Sequence, residues 1–164
     1  MIFHRKLALI VAGLAIATPQ LALGAPAPDA KAWNGTWHLN TAKSKFSSPE
    51  YSATSETRSY NVSGNKVALK STIKTHAGKT INWNYSAALD GKWYPMNGNP
   101  NGDSISLTPV GPREAKAEVK LKGKPAVTST STVSADGKHL TVHRQMLLAK
   151  GGPTDDLLIY DRAK

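Results

Sequence analysis

Cysteine is absent from all 164 residues. That excludes a disulfide framework, a thiolate metal site, a thiol nucleophile and lipid attachment through a lipobox cysteine. Any domain the chain forms must be held by its hydrophobic core. Acidic residues are also scarce: 11 Asp and Glu stand against 21 Lys and Arg, for a formal net charge of +10. No two carboxylates are spaced to share an acid–base role. No G-x-S-x-G and no phosphate-cradling glycine loop occurs. We therefore expect no catalytic residue and no cofactor, and read the chain as non-enzymatic. A long apolar run is missing as well. The longest, Leu7–Ala17, has eleven residues, well short of the ~20 that a membrane-crossing helix needs, so no stable membrane span is expected.

What that run does fit is an export signal. Arg5 and Lys6 precede it, Pro19 breaks it, and Ala22 and Gly24 put small residues at the −3 and −1 positions before Ala25. Residues 1–24 are read as a secretory signal peptide and 25–31 (APAPDAK) as a flexible linker. Residues 32–164 form one domain, expected in the periplasm or outside the cell.

Within that domain, periodicity of two replaces the helical 3.6 almost everywhere. Val67, Leu69, Ser71 and Ile73 alternate with Lys66, Lys70 and Lys74, and Ile81, Trp83, Tyr85 and Ala87 alternate with Asn82, Asn84 and Ser86. Ala115, Ala117, Val119 and Leu121 alternate with charges, and Leu140 and Val142 with His139 and His143. Turn signals separate these runs: Ser63-Gly64-Asn65, Ala77-Gly78, Asp90-Gly91, the loop Met96–Gly102, Gly111-Pro112, Gly123, Asp136-Gly137 and Gly151-Gly152-Pro153. Pro95 is expected to stop the short strand Lys92–Tyr94. Asn40–Ser48 has room for one helical turn anchored by Phe46. The whole reads as an all-β domain, an antiparallel up-and-down barrel of 8–10 strands, because closure removes free edges.

The inward faces mix large with small. Trp37, Trp83 and Tyr85 are large, whereas Ala87, Ala115, Ala117, Ser71, Ser129 and Ser131 are small where a packed core would want Leu or Ile. In a barrel of about eight strands that leaves either a packed core or room for one small ligand. We expect a cavity for a small apolar molecule, lined by Ile81, Trp83, Tyr85, Val119, Leu140 and Val142. His139 and His143 lie about 13 Å apart on a strand, too far to share an ion. The Asn97–Asp103 loop lacks the first Asp and last Glu of a calcium loop. No metal site is expected. Lys116, Lys120, Lys122 and Lys124 are interrupted by Glu114 and Glu118. The basic exterior supports an alternative: a binding or chaperone-like module in weak contact with anionic envelope components or proteins. Nucleic acid is not an expected partner, because Trp83 and Tyr85 face inward rather than forming a stacking platform.

Gly35-Thr36-Trp37 on the first strand resembles the G-x-W of lipocalin and wider calycin barrels. The resemblance implies that Trp37 closes one end of the barrel and that Arg162, on the last strand, packs across it, both in structural roles. The T-D-Y-type motif of lipocalins has only Thr154-Asp155-Asp156 as a counterpart. Gly35–Asn40 with Lys43–Phe46, Asp90–Pro95 and Asp136–Val142 together resemble a group of small exported bacterial proteins of unassigned function, similar to lipocalin-like barrels. That resemblance transfers a fold and no catalytic residues.

Overall fold

The computed structural model describes residues 26–164. The proposed signal peptide and the residue after its cleavage site lie outside the described residues. No helix among the described residues is long and apolar enough to cross a membrane.

Ten strands close into an antiparallel barrel in which each pairs with its sequence neighbours and the last returns to the first. They are β1 Gly35–Leu39, β2 Ala53–Ser63, β3 Lys66–Thr75, β4 Thr80–Ala88, β5 Trp93–Asn97, β6 Ser104–Gly111, β7 Glu114–Leu121, β8 Lys124–Val133, β9 His139–Met146 and β10 Asp156–Arg162. The alternation seen in the sequence becomes the barrel wall. Val67, Leu69 and Ser71 of β3 are buried while Lys66, Lys70 and Lys74 are exposed.

Pro95 lies inside β5 instead of stopping it. The Met96 N–H donates to the Asp103 carbonyl on the β6 side. Successive backbone groups alternate across a strand, so the Pro95 nitrogen faces β4. There the ladder has only two pairs, Asn84↔Asn97 and Tyr85↔Met96. Its missing N–H therefore costs no hydrogen bond, as at other edge positions.

The chain before β1 is tied down further upstream than its composition suggests. A single turn, α1 Ala30–Trp33, starts within the expected linker. Asp29 caps it by accepting from the Ala32 N–H at 3.1 Å and pairs with Arg113. The Trp33 indole N–H donates to the Pro112 carbonyl. Between β1 and β2 the expected helical turn within Asn40–Ser48 is reduced to one hydrogen-bonded turn, the Ser44 N–H donating to the Asn40 carbonyl at 3.1 Å, before Lys45 bridges Leu157. A 3-10 turn follows at Pro49–Tyr51. Phe46 does pack on the core, partly buried.

These pieces close one end of the barrel. Trp37 has no exposed surface, and its indole N–H donates to the Trp33 carbonyl at 3.1 Å. The Arg162 guanidinium sits 4.1 Å from the Trp37 ring centroid and donates to the Ala32, Asn34 and Gly137 carbonyls. It thereby satisfies turn carbonyls at this end of the barrel and covers the indole face. Gly35 has φ +125°, and a Cβ there would touch an Arg162 nitrogen at 3.0 Å. Glycine is required before the tryptophan both by backbone angle and by space.

Candidate functional site

Above the Trp37 plug the barrel is hollow. The cavity volume is about 140 Å³, roughly ten times what one water requires. The interior is therefore not filled by side chains.

One wall is large and the other small. Ile81, Trp83 and Tyr85 of β4 stand with Tyr60 of β2 and Leu69 of β3. Ala115 and Ala117 of β7 and Ser129 and Ser131 of β8 supply the recessed side. The register makes this recess continuous, because Ala115↔Ser131 and Ala117↔Ser129 are direct cross-strand pairs. Trp83 and Tyr85 are tilted rings 6.1 Å apart. The loop after β5 reaches over the opposite end, where Asn99, Pro100 and Asn101 border the cavity. That path needs Gly98, whose φ is +77° and where a Cβ would run into the Asn82 carbonyl oxygen.

Of the residues expected around the cavity, Ile81, Trp83, Tyr85, Val119 and Val142 border it, and Leu140 does not. Leu140 is fully buried and pairs with Val133 and Tyr160 near the closed end. The strand alternation put Leu140 on the correct face. It could not say that two residues along β9 separate the plug from the hollow. Trp33, from α1, borders the cavity beside Tyr60, with ring centroids 5.8 Å apart. No strand periodicity marked it, because it belongs to a helical turn.

The largest departure from the sequence reading is polar. Glu56 and Arg58 of β2 are 3% and 7% exposed, although charged residues are almost never buried unless paired. Arg58 Nε donates to Glu56 Oε1 at 2.7 Å, and the Ser71 hydroxyl donates to the same oxygen at 2.8 Å. The Tyr160 hydroxyl donates to Oε2 at 2.7 Å. Burial pushes the Glu56 carboxyl up. Arg58, Tyr160 and Ser71 outweigh it and hold the group below its ordinary value, as an anion. The Arg58 guanidinium lies 4.6 Å from the Tyr160 ring centroid and 5.7 Å from that of Trp83, and it borders the cavity. The signal was available: Glu56, Arg58, Tyr60 and Val62 are in phase on one face of β2. A Ser/Thr-rich strand conceals it, since two of its four inward residues are charged.

A second ion pair, Arg144 to Asp156 at 2.7 Å, closes the same interior near the start of β10. Asp156 also accepts from the Ser47 N–H and hydroxyl. His139, half-exposed, pairs with Asp161 at 2.8 Å, and His143 is exposed on the outer face.

No protein-family model matches this chain, and no curated protein matches it in sequence. The structure is similar to that of the zebrafish ileal bile acid-binding protein complexed with cholic acid, at a TM-score of 0.54 and 12% identity. The match covers 80% of this chain and 99% of that one. The likeness is one of fold: a closed, ten-stranded antiparallel barrel of calycin type.

Proposed function

We propose that this protein is an exported, non-enzymatic carrier that holds one small, mainly apolar molecule inside its barrel. One observation carries the reading: an aromatic wall, Trp83 and Tyr85, faces a recess of alanine and serine across an unfilled interior. Burial of apolar surface in such a pocket is the driving force. Ile81, Trp83, Tyr85, Val119 and Val142 are the contacts, while Trp37, Arg162 and Leu140 hold the closed end. A barrel of similar fold, the zebrafish protein, is complexed with cholic acid, and the reading is compatible with that use of the architecture. Export rests on the layout of residues 1–24, and N-terminal sequencing of the exported protein should find Ala25 first.

Titration with an apolar fluorescent probe tests the carrier reading. Binding should change tryptophan fluorescence and hold its affinity from low to high salt, because burial of apolar surface is not screened. A probe affinity that collapses with salt would favour instead the outward lysines, Lys66, Lys70 and Lys74 among them, and an anionic envelope partner.

A further inference from the structure

Polar groups line the cavity at several places, among them Ser129, Ser131, Asn99, Asn101 and Arg144, but one cluster stands against the aromatic wall. Arg58, Tyr60 and Tyr85 border the cavity together. The Nε of Arg58 is taken by Glu56 and its guanidinium also meets the Tyr60 hydroxyl, whereas the Tyr85 hydroxyl makes no hydrogen bond to the protein. Among the described residues only Trp83 Nε1 is a sealed side-chain polar atom without a partner. The Tyr85 hydroxyl therefore opens onto the cavity space, which the Arg58 guanidinium also borders. Groups of this kind are left facing a binding site when the guest supplies their partner.

Charge decides what that partner is. Arg58 is already balanced by Glu56, whose negative charge is spread over Arg58, Ser71 and Tyr160. Arg144 is balanced by Asp156 in the same way. A carboxylate entering here would be an added anion beside cations that Glu56 and Asp156 already compensate, and its desolvation would go unrepaid. A neutral oxygen asks for no countercharge and still accepts from the arginine. Burial holds the Tyr60 and Tyr85 phenols well on the protonated side, so they add donors and no charge.

Resting on the carrier reading above, we infer that the guest carries an uncharged hydrogen-bond acceptor, a carbonyl or hydroxyl oxygen, which is received by the Arg58–Tyr60–Tyr85 cluster. The apolar remainder lies against Trp83 and the Ala115–Ala117 recess. Arg58 donates to the oxygen, and Tyr85 adds a second donor. No proton is transferred and no bond is made.

The experiment compares three probes of equal length at neutral pH by calorimetry: octane, 2-octanone and octanoate. The ketone should bind about tenfold more tightly than octane, the factor expected for one added hydrogen bond to a charged donor, and more tightly than octanoate. Its carbonyl stretch in the complex should fall below its position in alkane solvent. Tyr85→Phe should reduce the ketone-to-octane affinity ratio. Arg58 is left in place, since removing it strands Glu56. Octanoate binding tighter than the ketone, or an unshifted carbonyl stretch, overturns the inference. If octane binds and the ketone binds no better, this inference alone falls. If none of the three binds, the carrier reading falls with it.

Discussion

Arg58 Nε lies 2.7 Å from Glu56 Oε1 inside the barrel wall, where both side chains are almost closed to solvent. Neither residue is stable there alone. Glu56→Ala leaves a buried cation uncompensated and should cost about 3–5 kcal/mol. Replacing both, with Glu56→Leu and Arg58→Met, should recover much of that loss, because an apolar pair of similar volume has no desolvation to offset. Urea unfolding of the single and double variants measures the difference. A double variant as unstable as the sum of both singles would show that the two residues are not coupled as a pair.

The same pair sets the acid limit. The Glu56 carboxyl lies below its ordinary value in the folded state, since burial raises it but Arg58, Tyr160 and Ser71 prevail. Asp161 is also lowered, by a hydrogen bond from Asn40 and then by His139. When folded values are depressed, the unfolded chain binds protons first. The stabilisation is then fully present above the ordinary carboxylate range and is lost as pH falls through the folded values. The melting temperature should be level from neutral pH down to about 5 and decline below about 4. Glu56→Gln should flatten that decline. An unchanged acid limb in that variant would assign the effect to the other carboxylates.

Trp37 and Arg162 are a plug and its latch. Trp37→Ala should destabilise by about 3–5 kcal/mol, the range for a large buried aromatic. Arg162→Ala should destabilise too, because three carbonyls lose their donor. Neither should selectively abolish probe binding at temperatures where the variant is folded. Thermal melts paired with probe titration distinguish the roles. A normally stable Trp37→Ala protein that no longer binds would place Trp37 in the binding site.

The barrel was legible because each strand declared its face. Val67, Leu69 and Ile73 against Lys66, Lys70 and Lys74 leave a single possible inward face for β3. The Asp90-Gly91 and Asp136-Gly137 pairs fix hairpin positions in the same way. Depth along the barrel was not legible. Leu140 and Val142 are indistinguishable by alternation, and only closure by Trp37 and α1 places one in the plug and the other on the cavity. Burial of Glu56 and Arg58 was hidden for a different reason: polarity normally marks an outward face, and these two are inward only because Tyr160 and Ser71, distant in sequence, meet them there. Pro95 misled because a strand position with no partner across the β4 side tolerates proline, and pairing is a tertiary property.

The central claim is that the barrel interior is a guest site, and filling it tests that claim most directly. Ala117 borders the recess opposite Trp83, paired with Ser129 and Leu107. Calorimetric titration of an apolar probe into wild type and Ala117→Phe, with melts to verify folding, is the measurement. The account predicts that the wild type binds and that the variant stays folded with binding abolished. A folded Ala117→Phe protein that binds the probe as tightly as the wild type would contradict it and move the function to the outer surface.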